Sequence, residues 1–117
     1  DLGAAPGSWS QYASQKVGEA GRVLGVDLTP ITLKLSNAVF ICADLNDLNL
    51  EAVFAEHGFS PQFDVVMSDM APKTTGVKSV DQARSLHLCE LALDVAIRFL
   101  RPKGAFVVKL FHSGEFN

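Results

Sequence analysis

A lysine set inside an apolar run is the residue that asks most of chemistry in this sequence. Lys109 interrupts Ala105-Phe106-Val107-Val108 on one side and Leu110-Phe111 on the other, in a stretch that reads as a central strand. A buried ammonium costs several kcal/mol unless it is paired. Asp69, at the end of the apolar run Val65-Val66-Met67-Ser68, is the natural partner. Such a pair is either a buried ion pair that fixes strand order or a general base or charge clamp in a cleft. Asp27 and Asp44 also stand where apolar runs end, and Asp1 opens a stretch that reads as the last residues of a strand running into a glycine turn. Asp27 is placed to accept from two ribose hydroxyls, and Asp44 from an adenine amino group.

The turn Asp1-Leu2-Gly3-Ala4-Ala5-Pro6-Gly7 offers a ligand its backbone, because glycines and small residues leave no side chain in the way. It lacks the Gly-x-Gly-x-x-Gly spacing that places helix-terminal N–H groups on a pyrophosphate. Gly3 and Gly7 lie four apart, and Pro6 removes a donor. An acid just before the turn repels phosphate and suits a cationic ligand with an amino-acid part, and S-adenosylmethionine is one. The plainer alternative is a tight turn with solvated, helix-capping acids. Trp9, the single tryptophan, is either a core anchor or a contact at the rim of a pocket beyond Gly7.

These residues need a scaffold, and the sequence supplies strands alternating with helices. Ser8 to Val17 has helical character and is stopped by Gly18 and Gly21. Arg22 to Asp27 and Ala38 to Cys42 read as strands, Asp47 to His57 as a helix, and Phe63 to Met67 as a strand. Val80 to Leu100 is the longest helix, with Leu88, Leu91, Ala92, Val95 and Phe99 on one face. Pro102 and Gly104 punctuate its end, and Ala105 to Phe111 is the last strand. Continuous apolar runs predict strands buried on both faces, hence a parallel sheet. The fold class is α/β: a doubly wound, mostly parallel, Rossmann-like sheet. Ligands bind such sheets beyond the carboxyl ends of the strands, where Asp1, Asp27, Asp44, Asp69 and Lys109 all fall.

The 117 residues, 48% hydrophobic and 20% charged, make one domain spanning 1–117 and exclude a disordered tail. No apolar run reaches the roughly 18 residues of a membrane span. The net charge of −3 divides into −4 up to Gln62 and +1 from Phe63 onward, so charge neither demands nor excludes an RNA partner. Cys42 and Cys89 sit in apolar segments, predicting two buried thiols in a reducing cytoplasm. His57, His87 and His112 show no metal-ligand spacing.

Asp1 to Tyr12 (DLGAAPGSWSQY), Ser68-Asp69-Met70-Ala71-Pro72, Glu90-Leu91-Ala92-Leu93 and Phe106 to Phe111 closely resemble the RrmJ/FtsJ family of ribose 2'-O-methyltransferases, in order and from Asp1 to about Phe116. The resemblance implies that Gly7, Trp9, Asp27, Asp44 and Asp69 contact S-adenosylmethionine. Asp1, Gly3, Ala4, Ala5 and Pro6 of the turn, with Leu28 and Leu45 beside the acids, complete the candidate cofactor set. Lys109 is implied as catalytic base, with Asp69 in the same catalytic set.

Departures from the family pattern are informative. The family's catalytic set has a lysine upstream of the turn and a glutamate on a later strand, and Glu115 follows Lys109 too closely to be that glutamate. The expectation is therefore a domain lacking the upstream start of its first strand and its C-terminal strands. Ser8 stands where the family often has glycine and can cap a helix. Lys73 stands where asparagine is common, beside the expected RNA entrance. The implied reaction is attack of a ribose 2'-hydroxyl oxygen in line with a departing sulfur, with Lys109 taking the proton. A free lysine titrates near about 10.4, so that role calls for burial or a second cation. The implied substrate is large-subunit ribosomal RNA, at a uridine, with a cytoplasmic monomer as enzyme. Transfer RNA or an mRNA cap is the alternative substrate. A non-catalytic cofactor- or RNA-binding module and a nicotinamide dehydrogenase are the rival functions.

Overall fold

The structure, a computed structural model, describes residues 1–70 and 75–109. Its elements run α1 (Ser8–Val17), β1 (Val23–Asp27), β2 (Ala38–Cys42), α2 (Leu50–His57), β3 (Phe63–Ser68), α3 (Lys78–Phe99) and β4 (Leu100–Val108). β1 pairs with β2 and β3 with β4, both parallel. Leu2 joins the two pairs by parallel bridges to Val26 and Ser68. The strand order is thus β2, β1, the Asp1–Leu2 segment, β3, β4. The expected α/β, Rossmann-like parallel sheet is what forms.

Side-chain alternation about Leu2 assigns the two layers. Leu2 packs with Val66, Ala92 and Ala96 on the α3 side. A second cluster on that side joins Leu24 to Leu50, Val53 and Phe54 of α2 and Phe99 of α3. The Phe54 ring meets Phe99 edge-on at 4.9 Å between centroids. Asp1, one residue earlier, turns to the other face and accepts from Ser10 of α1.

Several boundaries move for local reasons. α2 starts at Leu50, because the Asn49 side chain accepts the Ala52 N–H and caps the helix there. Gly7, at φ 118°, is the residue before α1, and Ser8 is its first helical residue, so Ser8 is not the cap. α3 begins at Lys78, two residues before Val80. β4 follows α3 directly, and Pro102 and Gly104 lie within it. The register slips there between Phe63↔Leu100 and Val65↔Ala105, with Lys103 at φ 66°. Proline and glycine inside a strand mark such a bulge as readily as an end.

Burial corrects three expectations. Only β1 is buried along nearly its whole length, whereas Val65 of β3 and Val107 of β4 are each 48% exposed. Apolar runs therefore signalled the parallel sheet but not cover on both faces. Among the described residues β4 is an edge strand, not a central one, and Lys109 follows its last residue with a side chain 68% exposed. The ammonium is at a rim, not in a core. Cys42 is exposed, and only Cys89 is partly covered. No described helix is long and apolar enough to cross a membrane. Lys73, His112 and Glu115 lie outside the described residues, as do Ala71, Pro72, Leu110, Phe111 and Phe116.

Candidate functional site

The chain reverses its direction across the sheet at Leu2. β1 and β2 are laid to one side of it, β3 and β4 to the other. Such a switch point opens a crevice beyond the carboxyl ends of the strands. A cavity of about 380 Å³ lies there, within the size range of small-molecule sites. Gly3, Ala5, Asp27, Leu28, Asp44, Leu45 and Asp69 line it. Among the described residues, every charged side chain lining the cavity is a carboxylate: Asp27, Asp44 and Asp69.

Asp27 fastens the glycine turn from the neighbouring strand. Its Oδ2 accepts the Ala5 N–H at 2.9 Å and its Oδ1 accepts the Thr29 N–H at 2.8 Å. Each oxygen keeps a lone pair, so the half-buried carboxylate can still accept from a ligand. Asp44 closes a turn after β2, its Oδ1 accepting the Asn46 N–H at 2.9 Å and the Asn46 Nδ2 at 3.0 Å. Its Oδ2 is not engaged in that turn.

Gly3 has a specific task. Its φ is 72°, and a Cβ there would lie 2.8 to 2.9 Å from the Cγ, Cα and N of Met70. The glycine lets Met70 close one wall of the cavity, so the close approach is by the protein's own chain. Its N–H donates to Val26 O at 2.8 Å and holds the turn on β1.

Asp69 and Lys109 are brought together at the cavity's edge. Ser68 pairs with Val108 in register, and the Lys109 N–H donates to Ser68 O at 2.9 Å. The two following side chains therefore leave adjacent strand ends side by side, with Lys109 Nζ 3.4 Å from Asp69 Oδ1. Asp69 lines the cavity, while Lys109 stands outside its wall. The arrangement can hold a hydroxyl between an ammonium and a carboxylate beside a ligand in the cavity.

Five candidates fall elsewhere. Asp1 accepts from Ser10 Oγ at 2.7 Å and faces α1. Ala4 is buried next to Gly25, and Gly7 packs toward Leu33 and Ile31. Pro6 is exposed, and Trp9 is half-buried on α1; neither lines the cavity. Conversely, Met70, Leu88 and Leu91 line it without having been singled out as site residues. Leu88 and Leu91 were visible as part of the apolar face of α3, which continues past the core to the cavity, and Leu91 also within the Glu90-Leu91-Ala92-Leu93 motif. Among the described residues no cluster of ligating side chains could hold a metal.

The family model for FtsJ-like methyltransferases matches residues 1–117. The chain is 73% identical over its whole length to Ribosomal RNA large subunit methyltransferase E of Bdellovibrio bacteriovorus, covering 60% of that protein. It is 50% identical to the protein of the same name from Desulfatibacillum aliphaticivorans, covering all of this chain and 56% of the relative. The chain thus spans well under two thirds of the length of these relatives. A crystal structure described as a ribosomal RNA methyltransferase from Plasmodium falciparum superposes with a TM-score of 0.80 at 22% identity, over 97% of this chain and 65% of the other, which shows the shared fold.

Proposed function

The chain belongs to the FtsJ-like methyltransferase family, and from that premise we propose that the full-length protein methylates a ribose 2'-hydroxyl of large-subunit ribosomal RNA, at a uridine, using S-adenosylmethionine. The observation that carries the reading is a cavity whose charged walls, among the described residues, are Asp27, Asp44 and Asp69, with the Lys109 ammonium joined to the last of them at its edge. Carboxylates at strand ends suit ribose hydroxyls, an amino group and a sulfonium. They oppose the pyrophosphate of a dinucleotide. The names of the relatives support large-subunit ribosomal RNA as substrate.

Asp27 and Asp44 are the residues that would hold the cofactor's hydroxyl and amino groups, with Leu28 and Leu45 packing beside them. When bound, S-adenosylmethionine supplies a methyl group made electrophilic by the sulfonium. Asp69 holds the ammonium of Lys109 where a ribose hydroxyl can approach both the cavity and the lysine. Lys109 serves as base in its neutral amine form, after giving up its own proton to solvent, and takes the hydroxyl proton as the oxygen bonds to the methyl carbon. Its exposed position at the strand end leaves that approach open to a polymer as large as RNA. Alignment of the reacting atoms supplies much of the rate in a transfer of this kind. The protein acts in the cytoplasm as a monomer.

The test is incubation of the full-length protein with methyl-labelled S-adenosylmethionine and, separately, large ribosomal subunits, free ribosomal RNA, transfer RNA and capped messenger RNA. Label in an alkali-resistant dinucleotide from the large-subunit RNA is the expected result. Label only in transfer RNA or caps would replace the substrate, and cofactor binding without transfer to any RNA would indicate a binding module.

A further inference from the structure

Two acids of the cavity use their carboxylates differently. Asp27 carries one N–H on each oxygen, from Ala5 and from Thr29. Both oxygens keep a lone pair, so two neighbouring hydroxyls can reach one each. Asp44 carries both of its donors on one oxygen. Its Oδ1 accepts the Asn46 backbone N–H at 2.9 Å and the Asn46 side-chain Nδ2 at 3.0 Å. Two bonds fill that oxygen, and Oδ2 takes no part in them. A carboxylate prepared in this way offers one open oxygen, which suits a group that brings a single N–H.

The Asn46 side chain is not what closes the turn. The Asp47 N–H donates to Asp44 O at 3.0 Å, and the Asn46 N–H holds Oδ1 from the backbone. The turn over residues 44–47 keeps both of these bonds without the amide. Asn46 is exposed, and it lines the cavity together with Asp44. What its Nδ2 adds is a second donor on Oδ1. The terminal torsion of an aspartate is broad, so one donor leaves the carboxylate plane free to turn. Two donors hold it. Only the nitrogen end of an amide can donate to a carboxylate oxygen, so the contact also fixes which way the Asn46 amide faces.

We propose that Asn46 is a positioning residue for the cofactor: it fills one oxygen of Asp44, holds the carboxylate plane, and leaves Oδ2 as the acceptor for a purine amino group. The consequence is selectivity. A purine with a carbonyl in place of the amino group brings oxygen lone pairs to a carboxylate oxygen and is repelled. Binding sites gain precision when supporting hydrogen bonds lock the residue that meets the ligand. The inference rests on the reading that Asp44 meets the amino group of the cofactor.

Calorimetric binding of S-adenosylhomocysteine and S-inosylhomocysteine to the full-length protein tests it, since the second carries a carbonyl where the first has the amino group. Wild type is expected to bind the adenosyl compound at least about tenfold more tightly, and Asp44→Ala to lose most of that preference. Asn46→Ala removes the donor, and Asn46→Asp puts an oxygen in its place at the same shape. Each should weaken the adenosyl compound by about three- to tenfold, the range of one hydrogen bond, and change the inosyl compound by less than about twofold. Equal weakening of both compounds would mean that Asn46 serves only the turn or touches the ligand elsewhere, and overturns the proposal. A preference that Asp44→Ala removes and Asn46→Ala leaves intact overturns it too, while the reading of Asp44 stands. Wild type without a preference, or a preference that survives Asp44→Ala, overturns that reading and the proposal with it.

Discussion

Lys109 Nζ stands 3.4 Å from Asp69 Oδ1 because β3 and β4 run parallel and in register up to Ser68 and Val108, so that the next residue of each strand meets the other. The contact is a product of sheet geometry and needs no loop to hold it. With the lysine side chain 68% exposed, water screens the pair. Ion pairs so placed contribute about 0 to 1 kcal/mol to stability. The pair therefore adds little to folding, and the role proposed for Lys109 is as base for methyl transfer.

Replacing Lys109 by alanine separates the two roles. Stability should change by less than about 1 kcal/mol, as for any exposed pair. S-adenosylmethionine affinity should stay largely intact, since the side chain lies outside the cavity wall. Methyl transfer by the full-length protein should fall by about 10² to 10⁴, the usual contribution of a positioned acid or base. Calorimetry and single-turnover methylation measure the two quantities. Retained turnover would reject Lys109 as the base.

Asp69→Ala should damage both steps. Asp69 lines the cavity and also holds the Lys109 ammonium. A hydrogen bond to a charged group is worth about 1.5 to 3 kcal/mol, so cofactor affinity should drop by about one to two orders of magnitude, together with turnover. Undisturbed binding by calorimetry would remove Asp69 from the cofactor wall and leave it only as partner of Lys109.

Gly3→Ala tests the turn. The new Cβ would sit 2.8 to 2.9 Å from Met70, mostly against its backbone, at a φ of 72° that alanine seldom adopts. A residue held in that region costs about 1 to 3 kcal/mol, before any clash. Urea unfolding should show at least that loss. Any folded protein should bind the cofactor poorly, because Met70 must leave the wall it forms. Wild-type stability would mean that the turn relaxes easily and that Gly3 is not what closes it.

Much of this site was legible because parallel strands end where their ligands bind. Asp27, Asp44 and Asp69 could be placed from their position after apolar runs, and all three line one cavity. The Asp69–Lys109 pairing was legible too, as the ends of neighbouring strands. The burial of Lys109 was not: an apolar run reports the strand, but a strand's exposure depends on what packs over it, and Val107 is 48% exposed. The role of Gly3 was hidden for a similar reason. Its neighbour Met70 comes from a strand end 67 residues away, and only the Leu2 bridge to Ser68 brings the two together. Boundaries failed where side chains overrode pattern, as Asn49 did at α2 and the Lys103 bulge did in β4.

Asp81 makes a prediction about pH that does not depend on catalysis. It lies in the first turn of α3, only 5% exposed, and its Oδ1 accepts from both the Thr75 N–H and the Thr75 hydroxyl at 2.8 Å. The Thr75 hydroxyl oxygen in turn accepts the Val77 N–H at 3.1 Å, so one carboxylate ties residues 75–77 to the helix. These bonds, the Thr75 N–H first, hold the Asp81 carboxyl below its ordinary value of 3.8, with burial pulling the other way. A carboxyl lowered in the folded state binds a proton less readily than in the unfolded chain. Its contribution is therefore fully present above the unfolded value and is lost as pH falls through the folded one. Asp81→Asn keeps the shape of the side chain but cannot titrate. Wild type should exceed this variant in urea midpoint at pH 7, and the gap should narrow as pH falls below about 4 and close once both side chains are neutral. A gap of equal size at pH 7 and pH 3 would show that the Asp81 charge adds nothing to those bonds.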